Sequence, residues 1–515
     1  MADNETRAMR NLGAGILALI LIVVLGVSFK FLIYPKLQSR LVESTSATTS
    51  YTSQITVCGD SFAGYAVVRS PAMKRELASK GIRLNWKDDV ADYGARAKAV
   101  RAGECDFAVN TIDADLVTGQ DLGEFPGSII FIIDESHGAD GVVAYKTAVP
   151  NVQALNQAGT KIVVTANSPS ETLARQMISG MLPMLANDQH WLEAADGAEA
   201  VYKQLIGTKP NERKAFVLWE PWLSKALEID GVQKIYDSSA TTATIVDVMT
   251  VNRSYLSERA DLVNFFTQAY FRNLWSYTSQ PSGLRDLVIE DAQEQGSKLI
   301  NDQALAIVTG IRWKNTLENY AHMGLVPRFE AKGIPNMEDM VSGISRFLVR
   351  TGKLAKNPVE GREQELYYDT ILRQMQASKF HPGGEEQMHG ASELPALAAD
   401  QWEKLMVVGN LDAKSIAFAR GSASLSPEGV RDAQEIGRLL KGWPNYYITV
   451  EGHARADAAD QVAAGVLAQD RARGVGEALQ TSGVSKNRIR TLAKPATQST
   501  GQGQSVTFVL SQRSF

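Results

Sequence analysis

Acidic residues recur at the ends of short apolar runs in the first half of this 515-residue chain. Asp60, Asp113, Asp115, Asp134, Glu135, Asp140, Glu220 and Asp247 outnumber the basic residues of the same segments. Carboxylates gathered in one place hold a cation or accept hydrogen bonds from hydroxyl groups. Burying several of them around an anion is unfavourable without compensating cations. The pattern therefore points to a small cationic or polar hydroxylated ligand. Ser61 and Asn110 neighbour these acids. Ser168 and Ser170 stand at the start of a helical stretch, where free N–H groups and hydroxyls hold an acceptor or simply cap the helix. Trp219 either stacks on a ligand or fills a core. Asp247 follows the apolar Thr244–Val246 and either faces a cleft or ends a solvated strand.

Covalent and metal chemistry find little support. A phosphate loop with Lys, a His-Glu-x-x-His motif and a Gly-x-Ser-x-Gly elbow are all absent from the sequence. Cys58 and Cys105 stand alone in apolar strands and read as small buried hydrophobes. The six histidines are scattered without paired ligand spacing. The expectation is a protein that is no enzyme and needs no cofactor or metal. With 44% apolar and 21% charged residues the chain folds, and its length calls for two or three domains. A net charge of −4 without a basic stripe argues against a nucleic-acid partner.

The acids need a scaffold. Strand and helix alternate from Gln54–Gly59 through Ile82–Lys87, Cys105–Asn110, Ser128–Ile133, Gly141–Tyr145 and Lys161–Thr165, which predicts an open α/β sheet. Ligands of such sheets sit beyond the carboxyl ends of the strands, which places Gly59-Asp60-Ser61 and Asn110-Thr111-Ile112-Asp113 in contact range. Ser257 to about Lys353 is mainly helical. The polar stretch Lys379–Glu393 reads as a linker, and a second alternation follows: Ser415–Ala419, a helix from Ser426 to about Lys441, Tyr446–Glu451, Asp460–Thr481 and Ser505–Leu510.

Ahead of all this, Leu12–Tyr34 is apolar or small except for Ser28 and Lys30, long enough to cross about 30 Å of hydrocarbon. No small-residue cleavage pattern follows it, so it reads as an uncleaved anchor rather than a signal peptide. Ser39–Ser53 reads as a Ser/Thr-rich tether.

Gly64-Tyr65, Arg101-Ala-Gly-Glu-Cys-Asp106, Asp134–Asp140, Ser168-Pro-Ser170, Trp219-Glu-Pro221 and Trp313–Tyr320, in that order, resemble the NitT/TauT branch of periplasmic solute-binding proteins (SsuA, TauA and relatives) over roughly 54–355. The resemblance implies a two-lobed, hinged, non-catalytic binding domain, with Ser136 and Asp140 near the crossover between lobes. Phe418–Gly429, Val450-Glu-Gly-His453 and Leu467-Ala-Gln-Asp-Arg-Ala472 with Val475 resemble the OmpA-like domain of MotB-type and Pal proteins over about 411–511. This second resemblance implies a small α/β sandwich that binds peptidoglycan through an Asp and an Arg. Arg471 falls on the family arginine and His453 lies in the matching Gly-His phrase. Arg455 replaces the usual aspartate, a reversal of charge that Asp457 or Asp460 offsets only from a shifted loop.

The fold class expected is thus α/β: an anchor with its cytoplasmic tip (1–36), a tether (37–53), a binding-protein-like domain (54–355), a helical segment with linker (356–400) and an OmpA-like domain (401–515). The function expected is an ABC-transporter-like, membrane-anchored solute-binding or sensing protein. It would sit in the inner membrane with its bulk in the periplasm. Its expected partners are a small polar or cationic solute, peptidoglycan (weakly) or an envelope protein, and a membrane protein beside the anchor. The alternative is a structural or stator-like subunit whose binding domain no longer takes a ligand. An ion-driven stator needs a membrane-embedded acid, and Leu12–Tyr34 contains none.

Overall fold

The computed structural model describes residues 51–188, 190–331, 333–384, 386–389, 394–411, 415–441, 445–455, 460–494 and 504–513. The apolar run Leu12–Tyr34, most of the tether and Asp457 lie outside them. Among the described residues no helix is long and apolar enough to cross a membrane. The chain divides into two units, 1–54 with 75–83 and 55–74 with 84–515. The described part of the smaller is closed by the Thr52 N–H donating to Gly81 O at 2.7 Å.

The larger unit is built on three sheets. The first has the order β11-β4-β10-β3-β1-β2, with β1 (Ser53–Gly59), β2 (Ile82–Asp88), β3 (Phe107–Thr111), β4 (Gly127–Ser136), β10 (Val246–Asn252) and β11 (Ile311–Trp313). The second has the order β7-β6-β8-β5-β9, from β5 (Asp140–Tyr145), β6 (Lys161–Thr165), β7 (Leu192–Ala195), β8 (Lys214–Trp219) and β9 (Val232–Asp237). β4 and β10 are almost wholly buried, which explains the continuous apolar run Ile129–Ile133 of β4. The expected open α/β pattern is present, but β10 runs antiparallel to both β3 and β4, and β5 runs antiparallel to β8 and β9. Those antiparallel strands are where the chain changes sheets.

It passes from the first sheet to the second between Ser136 and Asp140 and returns between Asp237 and Val246. The two passages are tied together. Ser136 Oγ lies 2.7 Å from Ser238 Oγ, which also accepts the Gly138 N–H at 2.8 Å. Gly138 takes a φ of +114°, a value only glycine adopts readily.

Cys58 and Cys105 form a disulfide with their Cα atoms 5.8 Å apart, correcting their reading as isolated hydrophobes. Their separation of 47 positions in sequence hides the fact that β1 and β3 are parallel neighbours, with Val57 opposite Phe107.

The third sheet has the order β12-β16-β14-β15 with β13 on β16. Its strands are β12 (Met406–Asn410), β13 (Ile416–Ala417), β14 (Tyr447–Gly452), β15 (Ile489–Ala493) and β16 (Ser505–Gln512), packed with helices Pro427–Lys441 and Gln461–Thr481. The strand expected over Ser415–Ala419 shrinks to two residues. The apolar core of the second sheet continues without a break into this third one, through Val152 and Leu155 on one side and Val408, Leu411 and Tyr446 on the other.

Candidate functional site

Where the first two sheets meet, the acids converge. Asp60, Asp113, Asp134, Asp140, Glu220 and Asp247 are all buried. Asp60 follows β1, Asp134 is near the end of β4, Asp140 opens β5, Glu220 follows β8 and Asp247 is the second residue of β10. Asp113 lies in the first turn of helix Ile112–Leu122 rather than in a loop as expected, because that helix begins directly after β3. Asp115, one turn position further on, is pushed up to about 7 by burial.

Each acid is satisfied differently. Asp60 accepts from the Phe62 N–H at 2.9 Å and from Arg96 Nη2 at 2.9 Å. Arg96 spends its remaining donors on Asp89 and the Val109 carbonyl. Glu220 accepts from the Ser224 N–H and hydroxyl. Asp113 Oδ2 accepts from the Thr172 hydroxyl. Tyr65 donates to Asp247 Oδ1 at 2.5 Å. By contrast Asp113 Oδ1, both oxygens of Asp134, Asp140 Oδ1 and Asp247 Oδ2 are buried without a hydrogen-bond donor.

Such burial raises these carboxyls. Asp140 is pushed up to about 7 by desolvation, with the charges of Asp113, Glu220 and Asp60 adding to it. Glu220 is pushed up to about 7 by desolvation. Asp134 and Asp247 are held well above the usual range by desolvation, Asp134 then by Asp140 and Asp247 then by Asp134.

A cavity of about 420 Å³ opens beside Asp60 and Ser61 of the first sheet's side and Trp219, Pro221 and Trp222 of the second's. Trp219 is 4% exposed, and its indole Nε1 has no acceptor. Ser168 caps helix Pro169–Met181 by accepting the Ser170 N–H at 3.2 Å and donates to Thr165 O; the Ser170 hydroxyl is buried without a partner. Ser136 is occupied in the passage between sheets. Asn110 spends its amide on Thr250 Oγ1 at 3.1 Å within the sheet. Sequence reasoning missed Tyr65, Arg96 and Trp222. Arg96 sits mid-helix, and only the fold turns it under β3 to meet Asp60. His137 lies 2.6 Å from Arg312 Nη2 through its Nε2; arginine only donates, so that nitrogen accepts. Among the described residues no group of three His, Cys, Asp or Glu is arranged to hold a metal ion.

In the third sheet Arg471 is 1% exposed and donates to three backbone carbonyls: Ser422 O at 2.8 Å, His453 O at 2.8 Å and Ala419 O at 3.1 Å. His453 Nε2 lies 2.9 Å from Thr507 Oγ1. Arg455 is exposed.

Residues 417–506 match the model of the OmpA family. No curated protein sequence matches the chain. Among solved structures it is similar to the periplasmic aliphatic sulphonate binding protein SsuA from Escherichia coli, at 12% identity over 67% of this chain and 97% of that one, with a TM-score of 0.44. A putative sulfonate ABC transporter's periplasmic sulfonate-binding protein from Methylobacillus flagellatus matches at 9% identity, 66% and 98% coverage and a TM-score of 0.47. The peptidoglycan-associated lipoprotein from Burkholderia pseudomallei matches at 20% identity over 19% of this chain and 89% of that one, with a TM-score of 0.18.

Proposed function

We propose that this chain is an extracytoplasmic solute-binding protein whose cleft takes a small polar or cationic solute, and whose C-terminal domain engages the cell wall or an envelope protein. The observation that carries the reading is the set of buried carboxylate oxygens without donors on Asp113, Asp134, Asp140 and Asp247. Each such atom is costly until a donor reaches it. Ammonium and hydroxyl groups bring donors, whereas the sulfonates named for the similar binding proteins bring only more acceptors. In this reading Asp60, Ser61, Trp219 and Trp222, which line the cavity, frame such a solute, and Glu220 lies in the same segment as Trp219.

The Cys58–Cys105 disulfide supports an oxidising compartment. Leu12–Tyr34 serves in this reading as an uncleaved inner-membrane anchor, with everything after Lys36 in the periplasm. A reporter fused after Ser53 and active only in the cytoplasm would overturn it. For the C-terminal domain, Arg471 has two N–H groups beyond those on carbonyls, enough for one weak contact to a stem-peptide carboxylate. Arg455 in place of an acid favours a protein partner instead.

The test is a thermal-shift screen of the full chain against amines, polyols and oxyanions. A solute at a hundred times its dissociation constant adds about 2.7 kcal/mol of stability. A broad panel that leaves the midpoint unmoved replaces this reading with that of a structural envelope subunit.

A further inference from the structure

Asp134 and Asp247 face one another as register partners on the neighbouring antiparallel strands β4 and β10, at 0% and 2% exposure. No donor among the described residues reaches either oxygen of Asp134 or Oδ2 of Asp247. Two ionised carboxylates offer four acceptors and no donor, so a hydrogen bond between them requires a proton. We propose that Asp134 and Asp247 share one proton and so form a buried proton-binding site where the first two sheets meet.

The surroundings enforce it. The Gly64 backbone packs so closely on Asp134 that a Cβ there would collide with Oδ2. Trp313 Nε1 holds that backbone by donating to Gly64 O at 2.9 Å. Tyr65 donates to Asp247 Oδ1, which leaves Oδ2 for the partner aspartate. The charged groups that face the pair are mostly negative: Asp140 from β5, Asp60 from the segment after β1 and Glu135 from β4. Lys314, just after β11, is positive but is bound to Glu135 at 2.9 Å. Tyr65 and Tyr270 face the pair as phenols, and burial holds both well above their ordinary range. With so little cationic support, two full charges at this spacing are strongly disfavoured, and one proton between them removes the repulsion.

The pair draws on oxygens that the solute reading also counts: the proton serves Asp134 and Asp247 while no solute is present, and Asp113 Oδ1 and Asp140 Oδ1 still lack a donor. Holding its proton, the pair carries one negative charge; without it, two. The folded chain also retains a proton that the unfolded chain releases above the ordinary carboxylate pKa of about 3.9. Stability therefore falls as pH rises from that range through the titration of the pair.

Asp247→Asn is the discriminating variant. Its amide oxygen still accepts from Tyr65 and its NH₂ donates to Asp134, so both contacts survive without a shared proton. The experiment is the infrared difference spectrum of wild type minus D247N at neutral pH, beside unfolding midpoints from about pH 5 to about pH 8. Expected are a positive protonated-carboxyl band in the difference spectrum, over the absorption of Asp115, Asp140 and Glu220 that both proteins share, and a shallower fall of the midpoint with pH in the variant. A difference spectrum without that band, or equal slopes, overturns the proposal. Should D247N fail to fold, Asp134→Asn preserves the same contact from the other side and is read in the same way. A wild-type spectrum that shows no protonated carboxyl at neutral pH is by itself a refutation.

Discussion

Arg471 in the C-terminal domain and Asp134 in the cleft are withdrawn from water to nearly the same degree, at 1% and 0% exposure. All three nitrogens of Arg471 reach backbone carbonyls, and Arg488 likewise donates to Tyr446 O and Leu440 O. Neither oxygen of Asp134 meets a donor group of the protein, and Asp113, Asp140 and Asp247 each keep one oxygen in the same condition. A buried charge with each of its nitrogens on a backbone carbonyl is first a fastening, even with two N–H groups to spare. A buried charge whose bonds are left open is an invitation to something outside the chain. In the proposed reading the same desolvation cost marks structure in one region and binding in the other.

The sharpest way to break that contrast is Arg471→Ala. Three part-buried carbonyls would lose their donor, at about 1 kcal/mol for each hydrogen bond, for a total of roughly 3 kcal/mol. Urea unfolding followed at Trp402 and Tyr447 should show the C-terminal domain weakened, along with loss of any co-sedimentation with sacculi. Undiminished stability with lost sacculus binding would move Arg471 from fastening to binding surface.

Asp140→Asn combined with Glu220→Gln comes next. The fold should survive, since both acids are raised to about 7 and their amides replace half-protonated groups. Affinity for an amine that binds the wild type should drop by about 2–5 kcal/mol, the range for removing buried charged partners, as read by calorimetry. An unchanged dissociation constant would detach these two acids from the site.

A smaller effect is expected from pH. Asp140 and Glu220 lose their charge as pH falls through about 7, so a cation should bind more weakly below it. The loss should approach about tenfold per pH unit for each carboxylate that must be deprotonated. Affinity that rises on acidification would contradict the sign.

Much of this contrast was legible in the chain itself. The acids Asp60, Asp113, Asp140, Glu220 and Asp247 could be picked out because strand ends are local features, visible as polar punctuation after apolar runs. What stayed hidden was whatever depends on two distant segments becoming neighbours. The Cys58–Cys105 bond needs β1 beside β3, Arg96 needs its helix folded under β3, and the Asp134–Asp247 pair needs β10 to insert antiparallel between β3 and β4. Arg471 was recognisable from its motif, yet its commitment to three carbonyls of two separate segments was not.

The smallest expected effect belongs to Arg455→Asp. Arg455 is exposed, so restoring an acid there should strengthen sacculus binding by less than about 1 kcal/mol. Pull-downs at low and high salt would show the gain only at low salt; a gain that persists in high salt would point to a buried contact.

The central claim is that the open acceptors of the cleft select positive or hydroxylated solutes. Its most direct measurement is side-by-side calorimetric titration of the wild-type chain with the best amine from the thermal screen, methanesulfonate and nitrate. Expected is saturable binding of the amine with no detectable heat from either oxyanion. Tighter binding of methanesulfonate or nitrate than of any amine would contradict it.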